Sequence, residues 1–69
     1  MTEVEQLVKM ANQIAQNFSF NDDAIERVAD HLQRFWAPSM LQSLADVRQQ
    51  GHSGLSATVV AAIEQLGLA

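Results

Sequence analysis

Apolar residues recur every three or four positions along most of the chain, the spacing that lays one apolar stripe along a helix. The first stripe comprises Val4, Leu7, Val8, Ala11, Ile14, Ala15 and Phe18. The second comprises Ile25, Val28, Ala29, Leu32, Phe35 and Trp36. On the third helix, one side is lined by Leu41, Leu44, Ala45 and Arg48, and the fourth stripe comprises Val59, Ala62, Ile63 and Leu66. Because no strand-like alternation interrupts these stripes, the pattern predicts an all-α fold, a small bundle of about four short helices.

Residues that cap or end helices stand at the predicted boundaries. Thr2 and Glu5 have the spacing of a capping box at the start of the first helix. Asn21 and Ser56 are expected to cap the second and fourth helices. Glycines that can end the third and fourth helices follow each of them: Gly51 and Gly67.

A sharp corner is predicted between the second and third helices. Pro38 has no amide hydrogen and pushes Ala37 out of the helical region, so the second helix must end near Trp36. Pro38 itself suits the first turn of the next helix. Large apolar side chains are therefore expected to surround this corner.

Composition and charge narrow the class of protein. The chain has 69 residues, no cysteine and a net charge of −4, and we interpret residues 1–69 as a single helical domain. Its four basic residues form no cluster, which argues against nucleic acid and against an anionic membrane surface as partners. No apolar run approaches the roughly 20 residues of a membrane span. We expect a soluble cytoplasmic protein.

Neither histidine has a clear catalytic partner. His31 lies at the edge of the second stripe, where it could carry a proton or contact a partner, or simply be a boundary residue that caps the corner. We favour the boundary role, because a catalytic histidine needs an orienting or reacting group. His52 lies in a polar loop, and no metal-binding spacing joins the two. An independent enzyme is therefore the least supported class.

Several large apolar residues lie at or beyond the stripe margins. Phe35, Trp36 and Met40 could form either a binding hot spot or part of the core. Trp36 falls inside its stripe and is assigned mainly to the core, whereas Phe35 and Met40 are better candidates for an interface. Apolar residues that fall off the main stripes hint at a surface covered in the working state: Phe20, Val47 and Val60.

Two blocks at a fixed spacing resemble a known family. They are Met10-Ala11-Asn12-Gln13-Ile14-Ala15 and His31-x-x-x-Phe35-Trp36-x-Pro38-x-Met40. Together they are similar to the delta subunit of soluble NAD-dependent formate dehydrogenases, and the resemblance runs from about Leu7 to Leu66.

The resemblance implies a small accessory subunit that binds no cofactor and has no active site of its own. Its expected partner is the alpha subunit, which oxidises formate at a bis-molybdopterin guanine dinucleotide that holds molybdenum or tungsten. Beta and gamma subunits of the same complex would carry iron–sulfur clusters and FMN and pass electrons to NAD. The implied role is to support the assembly, cofactor loading or stability of the alpha subunit.

The family pattern also assigns roles to particular positions. The positions expected to contact the partner are Met10, Asn12, Gln13, His31, Phe35 and Met40. Trp36 and Pro38 are expected to hold the corner between the second and third helices.

Two further classes stay open from the residues alone. A free-standing helical adaptor or a homodimer would use the same apolar margins on another protein or on itself. A helix-turn-helix DNA-binding domain could turn at Ala37-Pro38, but its third helix offers only Arg48 as a basic group.

Overall fold

The computed structural model describes residues 3–51 and 54–67, which form four α-helices joined by short connections. Helix α1 spans Glu3–Asn17, α2 spans Ala24–Phe35, α3 spans Pro38–Gln49 and α4 spans Ala57–Gln65. The all-α class and the corner before Pro38 are confirmed. The expected cap at Thr2 and the loop residue His52 lie outside the described residues.

A single apolar cluster lies between the four helices, and α2 packs most extensively against α4. The buried residues of this cluster are Leu7, Ala11, Ala15, Val28, Ala29, Leu32, Trp36, Leu44, Ala45, Val59, Ala62 and Ile63. Alanine contributes from every helix, and such small side chains at the contacts let neighbouring helices approach closely. The predicted stripes therefore face one another in the core.

The corner between α2 and α3 is built from two consecutive extended residues. Trp36 has φ −96° and ψ 137°, and its amide donates to the Leu32 carbonyl to close the last turn of α2. Ala37 has φ −65° and ψ 150°, as expected of a residue that precedes proline. Pro38 then opens α3 at a position where its missing donor costs nothing.

The start of α2 differs from the prediction. Asp23, and not Asn21, occupies the cap position, and its side chain makes no capping hydrogen bond. The Asn21 side chain instead donates backwards to the Phe18 carbonyl at 3.3 Å, while its own carbonyl accepts from the amide of Ala24. Asn21 thus closes the turn after α1, which removes it from a capping role.

The predicted boundaries at Ser56, Gly51 and Gly67 are confirmed. The Ser56 hydroxyl accepts a hydrogen bond from the Val59 amide at 3.2 Å, which is the N-cap arrangement. Gly51 and Gly67 have φ of 72° and 73°, the left-handed conformation that lets a glycine end a helix.

The expectation that Val47 and Val60 lie on a free surface is wrong for Val47. Val47 is 4% exposed and Val60 is half-buried. The reason is that α3 packs against both α1 and α4, so its buried face is wider than one stripe. Phe20 does lie in solvent, with 95% of its surface exposed.

Candidate functional site

Three aromatic rings form a line across the seam between α1 and α2. The ring centroids of Phe18 and His31 are 6.1 Å apart, with an edge-to-face angle of 61°. The centroids of His31 and Phe35 are 4.8 Å apart, with the rings tilted by 45°. Phe18 and His31 are half-buried, whereas Phe35 is 72% exposed. This aromatic line (Phe18, His31 and Phe35) therefore runs from the edge of the core out to solvent.

The geometry of α2 explains why the line ends in an exposed ring. His31 and Phe35 are four residues apart and so lie on the same side of the helix. Trp36 follows Phe35 by one residue, which turns its side chain by about 100°. Trp36 is consequently directed into the core at 7% exposure, while Phe35 stays on the surface.

Two ion pairs lie along the solvent-facing side of α2. The Arg27 Nε is 2.7 Å from an Asp23 carboxylate oxygen, and the Arg34 Nε is 2.9 Å from an Asp30 oxygen. The hydrogen bond from Arg27 holds the pKa of Asp23 below its usual value, and the hydrogen bond to Asp30 raises the pKa of Arg34. Because each acid is matched by a base, these four residues add no net charge to the surface of α2.

Asn12 connects α1 to the segment that leads into α4. Its Nδ2 donates to the Gly54 carbonyl at 2.5 Å, and its Oδ1 accepts from the Ser56 amide at 2.9 Å. The segment passes close to α1, since a Cβ added at Gly54 would lie 3.3 Å from a Val8 methyl group. Ser56 is thus held at its amide by Asn12 while its hydroxyl caps α4. We name this arrangement of Asn12, Gly54 and Ser56 the Asn12 clamp.

The other predicted contact residues lie in different surroundings. Met10 is 40% exposed, whereas Met40 is half-buried and packs against the core. Gln13 is exposed and lines an open groove along α1. Pro38, which is predicted to hold the corner and not to contact the partner, is exposed at the start of α3.

The structure brings together only some of the residues that the sequence singled out. His31 and Phe35 share the aromatic line, and Asn12 and Gln13 line the same groove. The sequence pattern places Phe18 only in the first apolar stripe and does not predict its ring contact with His31. Its position directly after α1, with no charged residue between Met10 and Asn21, was the available signal. No local signal pointed to the contact of Asn12 with Gly54.

The part of the chain that the structure describes has neither a metal-binding cluster nor a membrane-spanning helix. Within residues 3–51 and 54–67, no group of three or more histidine, cysteine, aspartate or glutamate residues could hold a metal ion. None of the helices in these ranges is long and apolar enough to cross a bilayer.

The fold and this surface define a small all-α domain with a partly exposed aromatic line. The family model described as NADH-dependent formate dehydrogenase delta subunit FdsD matches residues 6–63, and the chain belongs to this family. The match covers both sequence blocks that carried the resemblance. Searches of curated proteins and of solved structures gave no match.

Proposed function

We propose that this chain is a non-catalytic accessory subunit of a cytoplasmic NAD-dependent formate dehydrogenase and binds its molybdopterin-carrying alpha subunit. Membership of the delta-subunit family supports a role within that complex. The observation that supports binding is Phe35, an aromatic side chain left 72% exposed on a regular helix and backed by the ring of His31. Aromatic residues and methionine are enriched at protein interfaces.

In this proposal Phe35 is the anchor of the contact, and His31 fixes the direction of its ring. Met10 and Gln13 extend the contact along α1, and Met40 extends it beyond the corner. Asn12 contributes through the clamp, because both polar groups of its side chain are already bonded to Gly54 and Ser56.

The cofactors are expected on the other subunits of the complex. Iron–sulfur clusters are held mainly by cysteine thiolates, and this chain contains no cysteine. In this proposal the alpha subunit carries the bis-molybdopterin guanine dinucleotide. The beta and gamma subunits carry the iron–sulfur clusters, the FMN and the NAD site.

Binding alone can support assembly of the alpha subunit. A small rigid domain that binds only the folded, cofactor-loaded state lowers the free energy of that state relative to all others. The effect grows with the concentration of this chain above its Kd. Neither proton transfer nor electron transfer by this chain is needed.

The test measures binding of this chain to the formate dehydrogenase complex, which is purified from cells that do not produce this chain. Phe35→Ala and Met40→Ala are expected to weaken binding, by about tenfold or more for Phe35, while the helical circular dichroism is kept. Gln33→Ala, an exposed change on the same helix, is the matched control and should bind like the wild type. Trp36→Ala should instead unfold the chain more easily, because truncating a buried aromatic costs about 3–5 kcal/mol.

Two outcomes would contradict the proposal. Wild-type affinity in Phe35→Ala would remove the aromatic line from the contact. Failure of the wild-type chain to bind the complex, with recovery only of the chain itself, would favour the homodimer instead.

A further inference from the structure

A second exposed phenylalanine lies at the opposite end of α2 from Phe35. Phe20 is 95% exposed, on the connection between α1 and α2 formed by residues 18–23, which we name the Phe20 turn. Helix α2 has 12 residues, so its two ends are about 18 Å apart at 1.5 Å per residue. Phe20 precedes the first residue of α2 by four positions, whereas Phe35 is the last residue of that helix, so the two exposed rings are carried by different parts of the chain.

The Phe20 turn is held in place by hydrogen bonds on both sides of the exposed ring. The Ser19 amide and hydroxyl both donate to the Gln16 carbonyl, at 3.2 and 2.7 Å. The Asn21 amide and side chain both donate to the Phe18 carbonyl, at 3.0 and 3.3 Å. A side chain presented on an ordered turn loses less conformational freedom on docking than one on a loose loop. The backbone that presents Phe20 is thus pre-organised for docking.

The end of the Phe20 turn and the first turn of α2, which follow Phe20 in the chain, are acidic. Asp22 and Glu26 are exposed, and neither takes part in the ion pairs found among the described residues. They border one shallow depression together with Ile25, which is itself 40% exposed. An apolar tip beside two uncompensated carboxylates is complementary to an apolar pocket with a basic rim.

We propose that the Phe20 turn is a second docking surface, which inserts Phe20 into an apolar pocket rimmed by lysine or arginine on a protein partner. A second copy of this chain does not offer that rim, because three of its four basic side chains are already paired within the chain. An anionic membrane would repel the same carboxylates. The inference rests on the proposed function in one respect, since it places this pocket on the formate dehydrogenase complex.

The test compares affinity at low and high salt, about 0.05 and 0.5 M, because exposed charge interactions are screened as salt increases. This chain is titrated with the complex, which is purified from cells that do not produce this chain. Phe20→Ser should weaken binding by about tenfold or more at both salt concentrations. The double variant Asp22→Asn/Glu26→Gln should bind more weakly than wild type at low salt and show a flatter salt dependence.

The control double variant Glu3→Gln/Asp46→Asn removes the same net charge elsewhere and should keep the wild-type salt dependence. Unchanged affinity in Phe20→Ser would overturn the second docking surface. A wild-type salt dependence in Asp22→Asn/Glu26→Gln would overturn the basic rim. Both results are separable from the proposed function, which Phe35→Ala tests independently. Each variant is expected to fold, because the changed side chains are exposed. Circular dichroism checks that it does.

Discussion

Asn12 joins two parts of the chain that are more than 40 positions apart. In Asn12→Ala the Gly54 carbonyl and the Ser56 amide both lose their partner, which costs about 1–3 kcal/mol where a group is buried and less where water reaches it. Alanine returns a few tenths of a kcal/mol through its higher helix propensity. We expect the free energy of unfolding to fall by about 1 kcal/mol, measured by urea unfolding followed by circular dichroism.

Gln13→Ala is the matched control for this prediction, since Gln13 is the exposed neighbour of Asn12 on the same helix. Its unfolding free energy should stay within about 0.5 kcal/mol of wild type. Asn12→Asp keeps the acceptor for the Ser56 amide but sets a carboxylate oxygen against the Gly54 carbonyl, and it should also be destabilised. Equal urea midpoints for Asn12→Ala and Gln13→Ala would mean that the clamp contributes nothing to stability.

The hydrogen bonds of the Asn12 clamp could not be predicted from the sequence. A polar residue beside an apolar stripe is most often solvated, and helical periodicity contains no information on which distant backbone it meets. The different fates of Phe35 and Trp36 were easier to predict, because a helix separates adjacent side chains by about 100°. Local geometry was therefore predictable, while a tertiary hydrogen bond to Gly54 was not.

The N-terminal turn of α2 provides a prediction about pH. Arg27 donates to Asp23 and lowers the pKa of that carboxyl. Because the pKa is lower in the folded state, the stabilising effect of the pair is present above the ordinary titration range of aspartate and is lost as pH falls through the lowered pKa. Arg27→Gln is expected to raise the pKa of Asp23 towards its ordinary value, followed by carbon-13 NMR of the side-chain carboxyl.

Arg34→Gln is the control for this titration, because it breaks the other ion pair of α2, between Asp30 and Arg34. It should leave the pKa of Asp23 lowered. An Asp23 pKa that is the same in wild type and in Arg27→Gln would show that Arg27 is not the cause of the shift.

The four helices were predictable because each has a periodic apolar stripe and at least one boundary residue with a clear physical role. Pro38 and Ser56 are examples, since each acts through its own covalent structure on the backbone next to it. The prediction that Asn21 caps α2 is wrong, because an asparagine in a turn can donate a hydrogen bond to a preceding carbonyl instead of capping the helix that follows. The prediction that Val47 lies on the surface is wrong, because the width of a helix's buried face depends on how many other helices pack against it.

The distribution of charge over the whole molecule is uneven. Three of its four basic residues are paired within the chain, to Asp23, Asp30 and Glu64. The pair between Arg48 and Glu64 joins α3 to α4, the pair between Asp30 and Arg34 lies within α2, and the pair between Asp23 and Arg27 joins the cap residue of α2 to its first turn. The net charge of −4 is therefore carried by acids outside these pairs, which disfavours association of the chain with copies of itself.

The size of the molecule makes its stability sensitive to a partner. A chain of 69 residues without disulfides has a small core, and domains of this size are marginally stable alone. A partner that binds only the folded state adds about 2.7 kcal/mol at one hundred times its Kd, which corresponds to a rise of roughly 10–20 °C in Tm. We expect such a rise when the formate dehydrogenase complex lacking this chain is added.

The absence of cysteine from the chain allows this stabilisation to be observed selectively. A fluorophore attached at Gln49→Cys, an exposed position at the end of α3, reports unfolding of this chain within the mixture. Without the complex, Tm should be independent of the concentration of the chain, because nothing in its charge distribution favours a second copy. A Tm that rises with the concentration of the isolated chain would instead indicate a homodimer, since association of folded chains stabilises them by mass action. An unchanged Tm in excess complex would contradict binding to the folded state, on which both proposed docking surfaces depend.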